Sequence, residues 1–235
     1  MVFHYRQFDI QQDHAAMKVG TDSDLLGTLA AGGNRILDIG TGTGIISLMM
    51  AQRFPEAHIT AVEIDDQAII DAANNFHNSP FASRLTLHHT SFQDYLSGLP
   101  DDAAPFDCVV CNPPYFDKSL ECPDLGRTRA RHSSSLPFDV LASGVYRLLG
   151  DEGVFSVCIP PEVLSDFTAR CLFAGFSHKY IFQIKSVPRK APKRYVLVFQ
   201  KGKASIPTSI THCMRNADGS RSDWYLELMH DFLIQ

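Results

Sequence analysis

No uninterrupted apolar run in this chain of 235 residues reaches the ~20 residues that a membrane-spanning helix needs. The opening "MVFHYRQFDI" also lacks the apolar core of a secretory leader. A soluble, cytoplasmic protein is expected. Positive charge is in deficit: 21 Lys and Arg face 26 Asp and Glu, for a formal net charge of −5. That balance excludes a chain coated in basic charge for nucleic acid. It leaves room for a local basic patch, because binding depends on where the charge sits. Metal-ligand patterning is missing too. Cys108 and Cys111 form a C-x-x-C, yet no second such pair and no histidine cluster completes a zinc site. In "FDCVVCN" residues three apart point to opposite faces of a strand, so both thiols read as small buried hydrophobes and no metal is expected.

The chain is 45 % hydrophobic and 20 % charged, enough for one large core or a domain with a small appendage. Apolar β-rich runs at 35–40, 58–64, 84–89, 106–112 and 153–159 alternate with helical patterns at 44–54, 66–76 and 138–149. Strand–helix alternation with short links predicts βαβ units and a mostly parallel sheet with helices on both faces. The last two strands, at 179–187 and 194–201, are joined only by "PRKAPK", too short for a crossover, so they form an antiparallel hairpin closing the sheet. Trp224, Leu228 and Phe232 recur every four residues, which predicts an amphipathic helix over 222–234 packed on the domain. The expected organisation is a cofactor- and substrate-covering segment at 1–34, the main domain at 35–202 and an extension at 203–235. Residues 116–137 carry no convincing element, and a loop of that length in a compact domain is usually either functional or disordered.

The first strand runs into "LDIGTGTGII", with Asp38 at its end and Gly40, Gly42 and Gly44 in the turn before a helix. Alternate glycines permit positive φ and let a ligand approach the backbone, and the helix start offers free N–H groups. Such a cradle lies where open α/β sheets bind ligands. The third glycine of G-x-G-x-x-G is lacking, which weighs against a nicotinamide dinucleotide. Glu63 ends the next strand, placed to accept from ribose hydroxyls, so the pair points to an adenosine-containing cofactor.

The glycine turn, the acid at the next strand end and "NPPY" at the fourth strand end together resemble the class I S-adenosylmethionine-dependent methyltransferases, over most of residues 35–200. The resemblance implies a Rossmann-like, seven-stranded sheet with an antiparallel last hairpin. It implies that Asp38, Gly40, Gly42 and Gly44 hold the methionine part of S-adenosylmethionine and Glu63 the ribose. After the third strand that family has an Asp near the adenine. Here Ser91 holds the matching place, with Phe92 beside it to cover the ring and Asp94 displaced.

"NPPY" spans Asn112, Pro113, Pro114 and Tyr115. Proline has no N–H and holds the residue before it extended, so the motif offers carbonyls and the Asn112 amide oxygen without backbone donors from either proline. That surface suits a planar, conjugated –NH2. Hydrogen bonds from both amino hydrogens draw the nitrogen toward tetrahedral geometry, and fixed acceptors stabilise the positive charge that grows as the methyl arrives. Tyr115 can stack on the ring that carries the amino group.

The block "FDIQQDHAAMKVGTDSDLLGTLA" at 8–30, with "NPPY" and "RARHSSSLPFDVL", is similar to the bacterial tRNA (adenine-N6)-methyltransferases that act on a valine tRNA, at the adenosine 3′ of its anticodon. Lys18, Thr21 and Asp22 are expected to cover the methionine end of the cofactor; alternatively Thr21 or Asp22 caps a helix. Arg127, Arg129 and Arg131 after "NPPY", with Arg189, Lys190, Lys193 and Arg194 at the last hairpin, would form a phosphate-binding rim. Base flipping is expected, since a stacked adenine cannot reach the cofactor. A glutamine side-chain amide is also a planar –NH2 and remains an alternative substrate, as does an rRNA or DNA adenine. A non-catalytic RNA-binding protein on this fold is opposed by the intact glycine turn and intact "NPPY".

Overall fold

The computed structural model describes residues 1–100, 102–113, 136–202 and 206–234. Pro114, Tyr115, Arg127, Arg129 and Arg131 lie outside the described residues.

The expected mostly parallel sheet is present. Strands β3 (Arg35–Ile39), β4 (His58–Glu63), β5 (Leu85–His89), β6 (Phe106–Cys111) and β7 (Leu149–Ile159) are mutually parallel where they pair. Ile36–Ile39 and Cys108–Cys111 are buried along their whole length, as strands covered on both faces must be. Helices α1 (Thr21–Leu29), α2 (Ile45–Arg53) and α3 (Ala68–His77) contribute to one apolar cluster, and α4 (Phe92–Gly98), α5 (Phe138–Leu148) and α6 (Pro161–Phe173) to the other. Cys108 belongs to the first cluster and Cys111 to the second, so the C-x-x-C is split across the sheet. Burial pushes the Cys108 thiol up to about 12, so both cysteines are packing residues. Helix α6 starts with Pro161 in its first turn, where the missing N–H costs nothing.

Among the described residues the sheet has eight strands rather than the seven expected. Strands β8 (Phe176–Lys185) and β9 (Pro192–Lys201) form the antiparallel hairpin, with β9 inserted between β7 and β8. Strand β10 (Thr208–Cys213) then adds in parallel to the outer edge of β8. "TSITHC" is half-exposed at an edge, so neither apolar content nor alternation announced it. A separate hairpin of β1 (Val2–His4) and β2 (Asp9–Gln11) opens the chain. The C-terminal helix α7 (Asp223–Leu228) is shorter than the span expected. Phe232 is still buried, but the tail past Met229 turns to pair with the first hairpin: the Arg6 amide donates to the Phe232 carbonyl (2.8 Å) and Tyr5 bridges Leu233.

The order β10-β8-β9-β7-β6-β3-β4-β5 reverses direction at β3, with β4 on one side and β6 on the other. Ligands of open α/β sheets bind outside the carboxyl ends of the strands at such a reversal. Among the described residues no helix is long and apolar enough to cross a membrane, and no group of His, Cys, Asp and Glu could hold a metal ion.

Gly44 shows how tightly this end is built. It precedes α2 at φ 83°, and a Cβ there would lie 2.5 Å from the Phe76 ring. Gly44→Ala therefore combines left-handed strain with overpacking, and a loss of ~2–4 kcal/mol is expected in denaturant unfolding. A loss below about 1 kcal/mol would show that the turn can relax.

Candidate active site

The site is built on a turn held by side chains from three elements. Gly40 (φ 70°), Gly42 (φ 58°) and Gly44 (φ 83°) give it a path that L side chains rarely follow. Beneath it, Asp38 is fully buried, and its Oδ2 accepts hydrogen bonds from the hydroxyls of Thr41 (2.6 Å) and Ser47 (2.7 Å). From β4, Glu63 Oε2 accepts from the Gly42 amide (2.8 Å), while its Oε1 accepts from the amides of Ile64 and Asp65 (2.9 Å each). From α3, Asn75 donates to the Thr43 carbonyl (2.8 Å).

The same helix face fixes the N-terminal segment. Asn75 also donates to the Gln11 carbonyl and accepts from the Gln11 amide (2.8 Å each). One turn earlier, Asp71 Oδ2 accepts from the amides of His14 (2.9 Å) and Ala15 (2.8 Å), and its Oδ1 lies 2.8 Å from His14 Nδ1. Burial opposes the Asp71 charge, but the amides of Ala15 and His14 and the His14 ring outweigh it and hold the carboxyl below its ordinary range. Farther along, the Val19 amide donates to Gln12 Oε1 (2.8 Å) and Lys18 Nζ meets the Gln12 carbonyl. The segment is thus folded back on itself before it enters α1.

These constraints leave a cavity of about 420 Å³ at the carboxyl ends of β3 and β6. Lys18, Thr21 and Asp22 line it from the N-terminal segment, Gly40 and Gly42 from the turn, Asn112 from the end of β6, and Lys193 and Arg194 from β9. The structure therefore gathers into one cavity residues expected at the cofactor, the reacting group and the RNA. A Cβ on Gly40 or Gly42 would meet nothing within 4 Å, so the turn presents bare backbone to open space. Pro113, next in the chain, is buried and is not among the lining residues.

Other expected residues stand elsewhere. Asp38, Gly44 and Glu63 lie behind or beside the turn rather than in the cavity lining. Ser91 caps α4: its hydroxyl accepts from the Asp94 amide (3.0 Å) and donates to Asp94 Oδ2 (2.7 Å). The Phe92 ring is 4 % exposed and packs into the core against Gly144, which departs from the expectation of a side chain laid over an adenine. Neither Thr21 nor Asp22 caps α1; Gly20 is the capping position, and the Ser23 hydroxyl donates to the Gly20 carbonyl (2.7 Å). Arg194 departs from an outward phosphate contact, because its Nε donates to both oxygens of Asp22 (2.7 and 2.8 Å) and their side chains are only 26 % and 24 % exposed. Arg189, Lys190 and Lys193 are exposed along the hairpin turn.

Sequence reasoning missed Asp71 and Asn75, although a signal existed. They share one face of α3 with the buried Ala68, Ala72 and Phe76, so two polar residues fall on an apolar stripe. Met214, another lining residue, follows the unforeseen β10 and carried no signal.

Burial pushes the Asp38 carboxyl up to about 6, against the stabilising hydrogen bonds from Thr41 and Ser47. A raised carboxyl favours the folded state below its unfolded pKa near 4, and that contribution is lost as pH rises through 6. Asp38→Asn removes this dependence. Relative to the parent, its stability is expected to improve by about 2 kcal/mol between pH 4.5 and 7.5. Equal shifts of both proteins in urea titrations would show that Asp38 does not titrate in this window.

Residues 14–128 match the methyltransferase small domain family. A tRNA1(Val) (adenine(37)-N6)-methyltransferase of Bacteroides thetaiotaomicron is 43 % identical over 201 residues, covering 84 % of this chain and 82 % of the relative. One of the same description from Shewanella baltica is 35 % identical over 239 residues and 100 % of both chains. The crystal structure of a predicted O-methyltransferase from Agrobacterium tumefaciens shares the fold, with a TM-score of 0.69 at 20 % identity over 90 % of this chain and 96 % of that one. On the extent and level of these identities, joined to the glycine turn and to Asn112 in one cavity, the chain belongs to the tRNA1(Val) (adenine(37)-N6)-methyltransferase family.

Proposed function

We propose that this chain transfers a methyl group from S-adenosylmethionine to the exocyclic N6 amino group of an adenosine in tRNA, the one 3′ of the anticodon of a valine tRNA. The observation that carries the reading is the single cavity joining a bare glycine turn to Asn112, in a chain of this family.

The residues fit the cofactor. Gly40 and Gly42 leave room for close approach, and the buried Asp38 Oδ1 has no hydrogen-bond partner among the described residues. An unpaired buried carboxylate oxygen is costly, and an ammonium-bearing ligand in the cradle would relieve that cost. The cavity volume falls within the ~300–1,000 Å³ of small-molecule sites. We assign the methionine end to the turn and to Thr21 and Lys18, with Gly44 and Asp22 as supports. Glu63 already accepts three amide hydrogen bonds, and a carboxylate has about four acceptor positions, so one lone pair is left for a ribose hydroxyl.

When bound, S-adenosylmethionine supplies an electrophilic methyl group on a positively charged sulfur. The chain's part is to prepare the nucleophile. Asn112, half-buried in the cavity wall, and the Pro113 carbonyl accept from the adenine amino group, so its lone pair is turned away from the ring's conjugation. No strong base is needed before attack, because the cationic product loses its proton readily. Pro114 and Tyr115 complete the motif in sequence, with Tyr115 assigned to stacking on the flipped base. A glutamine amide offers the same –NH2 chemistry; the full-length likeness to tRNA-modifying enzymes favours RNA.

Asn112→Ala is expected to lower methyl transfer at least 100-fold, the scale of removing one fixed polar partner of a developing charge. Cofactor affinity by calorimetry should stay within about threefold. Equal loss of both would remove Asn112 from the chemistry and make it a structural residue of the cavity.

A further inference from the structure

The carboxyl ends of β8 and β10 carry a second basic feature beside the cavity. Beyond β10 the chain makes a tight hairpin, "MRNADGSRS" (214–222), in which Arg215 and Arg221 face each other across an antiparallel bridge. Its fold is well fixed. The Asn216 amide donates to the Ser220 carbonyl (2.9 Å), Gly219 turns at φ 91°, and the Ser222 hydroxyl donates to the Cys213 carbonyl (2.6 Å). Its base is stitched to the cavity rim: the Met214 amide donates to the Lys185 carbonyl (2.9 Å) and the Arg215 amide to the Ser186 carbonyl (3.0 Å). Met214 and Ser186 both line the cavity.

Like charges directly opposite one another across a bridge destabilise a hairpin. Both arginines are exposed, and neither forms an ion pair among the described residues. The Arg215 guanidinium donates to the Gly219 carbonyl (2.7 Å), and Arg221 lies 6.0 Å from the centre of the Tyr225 ring. The one acid of the hairpin, Asp218, accepts from the amide (2.9 Å) and hydroxyl (2.7 Å) of Ser220. The turn therefore places two exposed cations opposite each other across a bridge, and neither is paired with an acid among the described residues. An anion between them removes that penalty, and the fork geometry matches phosphate oxygens.

We propose that Arg215 and Arg221 bind a backbone phosphate of the tRNA next to the flipped nucleotide, extending the basic rim of Arg189, Lys190 and Lys193 around the cavity mouth to the edge strand. The inference rests on RNA being the substrate. It adds a phosphate site that the acidic overall charge makes necessary: on a chain of net charge −5, attraction to RNA has to come from such local surplus.

The test is the double variant R215Q/R221Q, with R215K/R221K as the charge-conserving control. Binding of unmodified tRNA is measured against salt without methyl donor, alongside cofactor affinity and thermal stability. The glutamine variant is expected to bind tRNA at least 10-fold more weakly. Its slope of log affinity against log salt should be shallower by about 1, for the one phosphate that is no longer neutralised. Its thermal stability should hold or rise, since a repulsion is removed. In turnover, KM for tRNA should rise more than kcat falls. The lysine variant should recover the salt slope and only part of the affinity. Parental tRNA affinity and slope in the glutamine variant would overturn the proposal, as would lowered stability with unchanged binding, or a parent that does not bind tRNA. A parent that binds tRNA through these arginines yet methylates no adenine would keep this phosphate site and overturn the proposed activity instead.

Discussion

Two carboxylates hold one glycine turn, and the rest of the site is hung from it. Asp38 takes the hydroxyls of Thr41 and Ser47 below the turn, and Glu63 takes the Gly42 amide from the neighbouring strand. Neither acid is solvated, so each hydrogen bond offsets part of a large desolvation cost. Asn75 on α3 then couples the turn to the N-terminal segment by bonding Thr43 and Gln11 at once. Bare backbone, the N-terminal segment so coupled and Asn112 all line one small cavity. Backbone strain and burial cost coincide here: three positive-φ glycines and a buried acid, one of whose oxygens has no hydrogen-bond partner among the described residues, belong to the same turn.

The N-terminal segment is secured twice. Asp71 captures the backbone at His14 and Ala15, and farther along Asp22 meets Arg194 of β9. The first anchor ties the segment to α3 and the second to β9, so the cavity-lining residues between them are held from both ends. The half-buried Asp22–Arg194 pair is screened less than a surface pair would be. It links the start of α1 to β9, whose hairpin with β8 carries the exposed Arg189, Lys190 and Lys193.

The central sheet was legible because its residues obey strong local rules. "RILDIG" and "CVVC" are apolar on both faces, and the glycines of "GTGTG" fall where positive φ is required. The asparagine of the cavity wall was legible for the same reason, since two prolines after a buried strand have few structural uses. Roles that depend on distant partners were not. Phe92 looked free to cover an adenine until Gly144 of α5 proved to be its neighbour, and Arg194 looked like a surface cation until Asp22 proved to be within 2.8 Å. Edge strand β10, half-exposed and short, is stabilised by its pairing with β8 rather than by its own pattern. The arginine pair that follows it becomes visible only once the bridge between Arg215 and Arg221 is known.

The central claim is that the cavity places an adenine amino group of tRNA against the methyl donor. It is tested most directly by supplying S-adenosylmethionine with an isotopically labelled methyl group and tRNA lacking the modification, then digesting to nucleosides for mass analysis. The label is expected on the exocyclic nitrogen of adenosine, in a single nucleoside per tRNA. Label on a different atom, or only in accompanying protein, would contradict the claim.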